Sequence, residues 1–378
     1  MNVTEDELIR RIARTVPSVV GRGNGEVLLG IGDDSAILSS RRRLDWVISC
    51  DAFIEGLHFL PDIHSPDSAG YKALARATSD LAAMGALPRF FLLTLALPSS
   101  RTGTWLAAFL QGVGRAARLF GMKLIGGDTT RAEVVTATLT VFGQVEAGKA
   151  LTRSGARAGD RIYVSGKLGR AQLGLELIRR AYGTSRRRRN RQGKNGGASA
   201  AILWLRLYHR MRPRKTTEEG KRKIGGAWAT MLRPHFYPWI RIELALWLAQ
   251  KRVPSAMMDL SDGLSTDLAR LCEASGVGAR LWVDRIPRVR VPDGLKELIC
   301  GRVAPLEMAL HGGDDYELIF TVPAGKERLL RSAPDSGELT CIGEIVRLGR
   351  QAGKGRVVLV DEQGNAKRLR HGGWDSFR

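Results

Sequence analysis

The chain has 378 residues, more than one hydrophobic core usually organises, so two domains are expected. Its hydrophobic fraction of 44% and charged fraction of 26% are typical of folded proteins and exclude wholesale disorder. No apolar run approaches the ~20 residues of a membrane span, the start is acidic where a signal peptide would be basic, and the four cysteines lie far apart without CxxC spacing. We therefore expect a cytoplasmic protein with no membrane segment, disulfide framework or zinc knuckle.

The net charge of +21 is concentrated in one segment. Between Ala181 and Thr230 there are 14 Lys or Arg against 2 Glu, a local charge of +12. This composition is typical of a solvated insertion, which we place at about 184–226, and not of a core element. Arginine-rich segments also bind polyanions, so nucleic-acid binding through this insertion is an alternative, as an added property more than as the main function.

The first 148 residues alternate strand-like and helix-like segments. Ser65 before Pro66 predicts a helix start, with Ser as N-cap and Pro in the first turn, and Gly85 predicts the helix end. Asp80 falls at the edge of the apolar stripe of this helix, so its carboxylate borders the buried face. The other predicted elements are strands at 27–31, 46–49, 90–97, 123–125 and 134–145, and a helix at 104–120.

A second α/β unit follows from about Gly148. Its predicted strands are 161–165, 256–260 and 316–322, and its predicted helices are 168–180, 237–250 and 263–274. Ser261 or Asp262 is expected to cap the last of these helices. The alternation predicts two α/β domains, 1–148 and 149–378, each with a sheet covered by helices.

Acidic residues beside glycines recur in this otherwise basic chain. A single Gly-Asp pair is usually a turn, and Asp262 could equally be only a helix cap, but clustered carboxylates repel each other unless cations lie between them. Hard oxygen ligands select Mg²⁺ or Ca²⁺, and neighbouring glycines let a phosphate approach backbone N–H groups. The pattern predicts a Mg²⁺–nucleotide site. Its members are Gly32-Asp33-Asp34, Ser49-Cys50-Asp51, Asp80, Gly126-Gly127-Asp128-Thr129-Thr130, Asp259-Leu260-Ser261-Asp262-Gly263 and Gly312-Gly313-Asp314-Asp315-Tyr316.

Competing catalytic motifs are absent from the sequence. There is no GxxxxGK[ST] loop, since Ser165-Gly166-Lys167-Leu168 lacks both the upstream glycine and the following Ser or Thr. There is no HExxH, and Gly21-Arg22-Gly23-Asn24-Gly25 has neither the spacing nor the position of a dinucleotide loop. These absences argue against a P-loop enzyme, a zinc protease and a Rossmann cofactor.

The acidic motifs, together with Leu151-Thr152-Arg153-Ser154-Gly155, resemble those of the thiamine-monophosphate kinase family in order and spacing, over nearly the whole chain except the insertion. This family lies in the aminoimidazole-ribonucleotide-synthetase-like superfamily. The resemblance implies an N-terminal α/β domain that dimerises through its sheet and a C-terminal α/β domain. It also implies a homodimeric, Mg²⁺-dependent kinase that transfers a phosphoryl group from ATP to thiamine monophosphate, giving thiamine diphosphate.

The resemblance further implies a role for each matching residue. Several Mg²⁺ ions would be bound by Asp34, Ser49, Cys50, Asp51, Asp80, Asp128, Asp259 and Asp262, of which Asp80, Asp128 and Asp262 are the candidate catalytic residues. ATP would contact Gly127, Asp128, Arg153 and Ser261, and thiamine monophosphate would contact His58, Asp314 and Trp374. Two of these positions depart from the family pattern. Cys50 stands where Thr is frequent, so only its carbonyl is a credible ligand, and Asp314 stands where Glu is usual.

The chemistry of the acceptor agrees with a site rich in carboxylates. A phosphate monoester has a second pKa near ~6 and is largely ionised at neutral pH, so no general base is required. The obstacle to transfer is repulsion between the two phosphate groups, and metal ions that bridge them reduce it. This predicts direct in-line transfer without a phosphoenzyme. The nearest alternative is another superfamily member with a different acceptor. A selenophosphate synthetase or hydrogenase-maturation protein should, however, carry a functional Cys that this chain lacks.

Overall fold

The computed structural model describes residues 20–23, 26–39, 43–179, 230–291, 304–348 and 356–374. The basic insertion predicted at about 184–226 lies outside the described residues. Within them the strands form one six-stranded and one seven-stranded sheet, consecutive along the chain. The expected α/β architecture with two sheets is confirmed. No helix in these ranges is both long and apolar enough to cross a membrane.

The first sheet has the strand order β1-β2-β3-β6-β4-β5, and only the β4–β5 pair is parallel. Its strands are β1 (Val27–Leu29), β2 (Ala36–Ser39), β3 (Leu44–Ile54), β4 (Leu87–Leu97), β5 (Lys123–Arg131) and β6 (Thr136–Glu146). Among the described residues of this unit are two α-helices, α1 (Pro66–Ala83) and α2 (Thr104–Phe120), and α1 packs directly on β3, β4 and β6. Residues on alternate positions of these strands are buried beneath α1, as period-two patterning requires.

The second sheet has the order β13-β12-β9-β11-β7-β10-β8, in which only β9 and β12 pair in parallel. Its strands are β7 (Arg161–Ser165), β8 (Ala256–Leu260), β9 (Gly278–Trp282), β10 (Glu317–Val322), β11 (Leu339–Val346), β12 (Val357–Val360) and β13 (Ala366–Arg368). The helices in the part of this unit that the structure describes are α3 (170–179), α4 (230–236), α5 (Ile242–Gln250), α6 (Leu264–Ser275) and α7 (Pro305–His311). Strands β8 and β10 are buried along their full length.

Helix α1 forms where the sequence predicts it. The Ser65 Oγ accepts the N–H of Ser68 at 3.2 Å, Pro66 occupies the first turn, and Gly85 follows the helix with φ of +67°. Besides its own sheet, α1 contacts α5 and β8 of the second unit. One hydrophobic core is therefore continuous between the units and includes Leu74 on α1 and Phe320 on β10. This packing places the end of α1 at the junction of the two sheets.

Several predicted element bounds and one predicted cap are wrong. The strand predicted at 46–49 covers Leu44–Ile54. Strand β5 continues past 125 to Arg131, because a bulge between its pairings with Phe91 and Leu92 absorbs the irregular step before Gly126. The predicted helix 237–250 begins only at Ile242, since 237–241 is not helical. Pro238 explains this break, because proline lacks an N–H and disfavours helical conformation in the residue before it. Helix α6 is preceded by Gly263 at φ of +110°, and neither Ser261 nor Asp262 caps it.

The face of the first sheet opposite α1 keeps many apolar side chains partly exposed. Trp46 on β3 contacts Phe90 on β4, with ring centroids 6.1 Å apart, and both rings are only half-buried. Edge strand β5 is exposed at every residue, including Leu124 (55%) and Ile125 (56%). Such a surface is typical of an interaction site.

Candidate active site

Three carboxylates from different parts of the chain meet at the junction of the two sheets. Asp34 follows β1, Asp80 lies in the last turn of α1, and Asp259 lies in β8. One oxygen from each of these side chains lies within 4.8 Å of the others. We call these three residues the acidic cluster. Its members are separated in sequence, and the contact of α1 with β8 brings Asp80 and Asp259 together.

Two serine hydroxyls orient the carboxylates of the acidic cluster. Ser49 on β3 donates to Asp80 Oδ2, and Ser79 on α1 donates to Asp259 Oδ2 at 2.6 Å. The second bond joins the N-terminal helix to the C-terminal sheet. Ser49 on β3 thus orients Asp80, and Ser79, which precedes Asp80 on α1, orients Asp259.

Burial and mutual repulsion raise the pKa values in the acidic cluster. Burial raises the pKa of Asp80 well above its ordinary range, and the charges of Asp51, Asp259 and Asp34 raise it further. Burial also raises the pKa of Asp259 to about 7, with the Asp34 charge adding to the effect. A divalent cation would relieve both effects. Because Asp34 Oδ2 is buried without a hydrogen-bond partner, the donor set fits a hard cation such as Mg²⁺.

Two arginines neutralise acidic side chains at the rim of the cluster. The Arg153 guanidinium bonds Asp34 Oδ1, with an Nε–Oδ1 distance of 3.1 Å, and the Arg153 N–H donates to Asp33 Oδ2 at 3.0 Å. Arg270 on α6 pairs with Asp262 at 2.5 Å. Asp262 also lies close enough to Asp259 to raise its pKa. Arg153 and Asp262, both predicted from sequence, therefore lie beside the acidic cluster.

Asp267 is a buried carboxylate that the sequence reasoning missed. Its Oδ2 accepts the N–H groups of Asp262 and Gly263 at 3.0 and 2.9 Å, and so holds the loop before α6 in place. An acidic residue in the first turn of a predicted helix was the available signal. On the other side of this loop, the backbone N–H of Trp374 donates to the Asp262 carbonyl at 3.0 Å. Trp374 is thereby placed next to Asp262 with its ring half-exposed.

A second group of polar side chains lies around Lys72 of α1. It consists of His58, Lys72, Asp314 and Tyr316, and we call it the lysine cluster. Lys72 Nζ lies 2.7 Å from Asp314 Oδ2, and the Tyr316 hydroxyl donates to Asp314 Oδ1 at 2.7 Å. The Asp314 N–H donates to the carbonyl of Ser261 at 2.8 Å, which connects this cluster to the loop bearing Asp262. Burial favours the neutral acid, but the charges of Lys72, His235 and Arg76 outweigh it and lower the pKa of Asp314.

His58 is held as a neutral ring. Its Nδ1 accepts the N–H of Ile54 at 3.0 Å, and burial, helped by the charge of Arg76, lowers its pKa to about 4. Since Nδ1 is an acceptor, the proton lies on Nε2, which can donate to a ligand. The sequence predicted His58 and Asp314 as site residues and placed Tyr316 in a motif without giving it a role. It did not indicate Lys72, because a lysine on a buried helix face carries no motif.

Asp128, Gly127 and Cys50 are not brought to the acidic cluster within one chain. Asp128 is paired with Thr94, which aligns through β6 with Ala52, so three strand spacings of roughly 4.8 Å put about 14 Å between Ala52 and Asp128. Alternation places both on the face opposite Ser49, and Asp128 Oδ1 accepts the N–H of Thr129 at 2.8 Å.

The structure gives Gly127 a packing role. A Cβ on Gly127 would lie 1.9 Å from the Leu93 carbonyl oxygen, so this glycine permits the close approach of β4 and β5. The Cys50 side chain also points away from the acidic cluster and accepts from the Thr140 hydroxyl at 3.3 Å.

Comparison with known proteins identifies the family. Residues 32–145 match the AIR synthase related protein N-terminal domain, and residues 215–355 match the corresponding C-terminal domain. The thiamine-monophosphate kinase of Salmonella typhimurium is 38% identical over 326 residues, which covers 85% of this chain and 85% of that protein.

Solved structures agree in fold. A thiamine-monophosphate kinase from Stenotrophomonas maltophilia is 34% identical, with a TM-score of 0.64 and coverage of 97% of this chain and 99% of that one. AaThiL complexed with AMPPCP and TMP is 27% identical, with a TM-score of 0.71 and coverage of 99% and 97%. With these matches, the chain belongs to the thiamine-monophosphate kinase family of AIR synthase related proteins.

Proposed function

We propose that this protein transfers a phosphoryl group from ATP to thiamine monophosphate and so forms thiamine diphosphate. The observation that carries the proposal is the acidic cluster, in which three carboxylates from distant parts of the chain converge and one oxygen of Asp34 has no hydrogen-bond partner among the described residues. Relatives named thiamine-monophosphate kinase, and the complex of AaThiL with AMPPCP and TMP, support the choice of donor and acceptor.

Mg²⁺ would be held by the acidic cluster, with Asp51 and Asp262 at its edges. When bound, the ions supply positive charge between the two phosphate groups and a template for in-line transfer. Ser49 and Ser79 keep the carboxylates oriented before any ligand arrives. Several ions are proposed, because one divalent cation does not balance the charge of five carboxylates, even with Arg153 and Arg270 paired to two of them.

The nucleotide phosphates would meet Arg153 and the loop that carries Ser261. Arg153 is held by Asp34 and lies against the acidic cluster, so its guanidinium can contact both a carboxylate and a phosphate. Ser261 precedes Asp262 in a loop whose carbonyl and N–H groups are fixed by Asp314 and Asp267. These residues bind and orient the donor and transfer no proton.

The acceptor would lie between the acidic and lysine clusters. Its phosphate is already ionised at neutral pH, so the residues around it need only bind and orient it. The neutral His58 ring can donate its Nε2 proton to a phosphate oxygen, while Asp314 and Trp374 approach the thiamine moiety. This division of roles requires no side chain to carry the phosphoryl group, and we propose direct transfer.

We also propose a homodimer formed through the exposed face and edge of the first sheet. The partly exposed Trp46 and Phe90 and the fully exposed strand β5 support this interface. The same interface explains Asp128 and Gly127, which lie far from the acidic cluster of their own chain. Asp128 would then act on the site of the second subunit. A cytoplasmic location completes the proposal, in keeping with free thiols at Cys50, Cys272 and Cys341 among the described residues.

The test of this function is ADP release from ATP with a panel of phosphorylated acceptors, with and without Mg²⁺. We expect turnover with thiamine monophosphate only, lost when EDTA removes the metal. Asp259→Asn should lower kcat by about 100-fold or more, as loss of a charged group in a phosphoryl-transfer site does, while the far-ultraviolet spectrum is kept. Equal turnover with another phosphorylated acceptor would reject the substrate, and a radiolabelled phosphoenzyme would reject direct transfer.

A further inference from the structure

Asp314 is held on both oxygens by other side chains of the protein. Lys72 Nζ contacts Oδ2 and the Tyr316 hydroxyl donates to Oδ1, each at 2.7 Å. The backbone of Asp314 has φ of +66°, a left-handed conformation that residues other than glycine rarely adopt. Because the surroundings must maintain such a conformation, the carboxylate is fixed in position as well as in charge.

Lys72 lies behind this carboxylate and cannot reach a ligand. Its side chain is 1% exposed, whereas that of Asp314 is 33% exposed. The open side of the carboxylate therefore faces away from the lysine, and any effect of Lys72 on a ligand must pass through Asp314. A buried ion pair contributes little net stability compared with apolar packing, so stability alone does not explain a lysine at this position.

The pair also joins the two halves of the molecule. Lys72 is on α1 of the first unit, and Asp314 is in the loop before β10 of the second. The same helix carries Ser79 and Asp80, which position the acidic cluster. The location of Asp314 is thus tied to the element that places the proposed metal site.

We propose that Lys72 and Tyr316 are positioning residues that clamp Asp314, so that its carboxylate faces the cationic ring of the acceptor. This inference rests on the proposed function. An aspartate reaches one methylene less far than a glutamate, so the distance from this carboxylate to the acceptor depends on how it is held. The clamp acts on acceptor binding and leaves the nucleotide contacts at Arg153 unchanged.

The experiment compares steady-state constants for both substrates in Lys72→Met and Tyr316→Phe. We expect KM for thiamine monophosphate to rise by about tenfold in each, the loss typical of a weakened charge-assisted contact. KM for ATP should stay within about twofold of the wild type, because these changes weaken the binding of thiamine monophosphate and not that of ATP. Lys72→Arg should recover most of the affinity. The matched control is Lys149→Met. This variant removes the ion pair between Lys149 Nζ and Glu146 Oε2, which are 2.6 Å apart, and Lys149 belongs to neither cluster.

The outcomes separate the clamp from the function. Wild-type protein that releases no ADP with thiamine monophosphate rejects the proposed function. An active wild type with unchanged KM for thiamine monophosphate in Tyr316→Phe, a variant that removes one hydroxyl, overturns the clamp even if Lys72→Met does not fold. Equal increases in both KM values would show a general structural role and overturn it as well.

Discussion

At the scale of single residues, burial decides the protonation of His64. The ring is 5% exposed, its Nδ1 accepts the N–H of Leu60 at 3.2 Å, and its Nε2 has no partner among the described residues. Burial, with the charge of Lys72 adding to it, lowers the pKa of His64 to about 3 from an ordinary value of 6.5. The native state therefore resists a proton that the unfolded chain accepts.

This difference makes the free energy of unfolding depend on pH. Below pH 6.5 the unfolded state binds a proton at His64 and the folded state does not. The contribution of the neutral ring to the free energy of unfolding is therefore fully present above this pH and is lost as the pH falls toward 3. His64→Asn keeps an acceptor for the Leu60 N–H but has no imidazole to protonate. Between pH 6 and 4 the free energy of unfolding should therefore fall less steeply in this variant than in the wild type, by up to about 1.4 kcal/mol per pH unit. Urea unfolding at several pH values measures the slope.

The matched control for the pH experiment is His371→Asn, since His371 is exposed. This variant should keep the wild-type slope. Identical slopes for the wild type and His64→Asn would contradict the assignment of His64 as a buried neutral group.

Residues of the site differ in how far sequence could identify them. Asp34, Asp80 and Asp259 lie in motifs of charge beside glycine or at a helix edge, and such motifs have a chemical meaning before any fold is known. Lys72 has no such signal, because its partner is 242 positions away in the sequence. Long-range pairs of this kind depend on how the two sheets meet, which periodicity does not encode.

At the scale of elements, the crossing of α1 and α2 depends on two glycines. A Cβ on Gly70 would lie 2.0 Å from the Phe109 carbonyl oxygen, and one on Gly112 would lie 1.9 Å from the Asp67 carbonyl oxygen. Each helix therefore presents its backbone directly to the other. This close approach fixes α1, and with it both polar clusters.

Gly112→Ala should destabilise the protein although alanine favours helices. The added methyl group must push the helices apart, and overpacking of this kind costs about 1–3 kcal/mol. Gly114→Ala, two residues along the same helix, meets only the end of Arg118 at 3.4 Å and should instead gain about 0.5–1 kcal/mol. Thermal or urea unfolding of both variants measures the difference, and a shift of the same sign in both would contradict the role of the crossing.

Element prediction succeeded where local signals were complete. Helix α1 has its cap, its proline and its terminal glycine in sequence, and α2 was predicted over its observed range, 104–120. Strand β5 was predicted too short, because a Gly-Gly pair normally ends a strand, and only pairing with β4 keeps it extended. Pairing partners are a tertiary property, so the sequence could not supply this correction.

At the scale of the whole molecule, the proposed dimer predicts that Asp128 works across subunits. Asp128→Asn and Asp259→Asn should each be inactive alone. When the two chains are co-expressed, mixed dimers contain one site with both aspartates intact, so about a quarter of the wild-type activity should return. ADP release by the purified mixture measures it.

The matched control for this complementation is co-expression of Asp80→Asn with Asp259→Asn. Both changes lie in the acidic cluster of one chain, so no mixed dimer has an intact site and no activity should return. Failure of the first mixture to recover activity would contradict the action of Asp128 in the second subunit. A monomeric mass in solution would contradict the dimer itself.

The extent of α1 has a further consequence for the spacing of the two substrates. Lys72 and Ser79 are seven residues apart, about 10 Å along the axis at ~1.5 Å per residue. A single inserted residue between them would rotate one end by about 100° relative to the other. The ring of the acceptor and the terminal phosphate of the donor would then lose their common alignment, although every side chain that binds them remained in the chain.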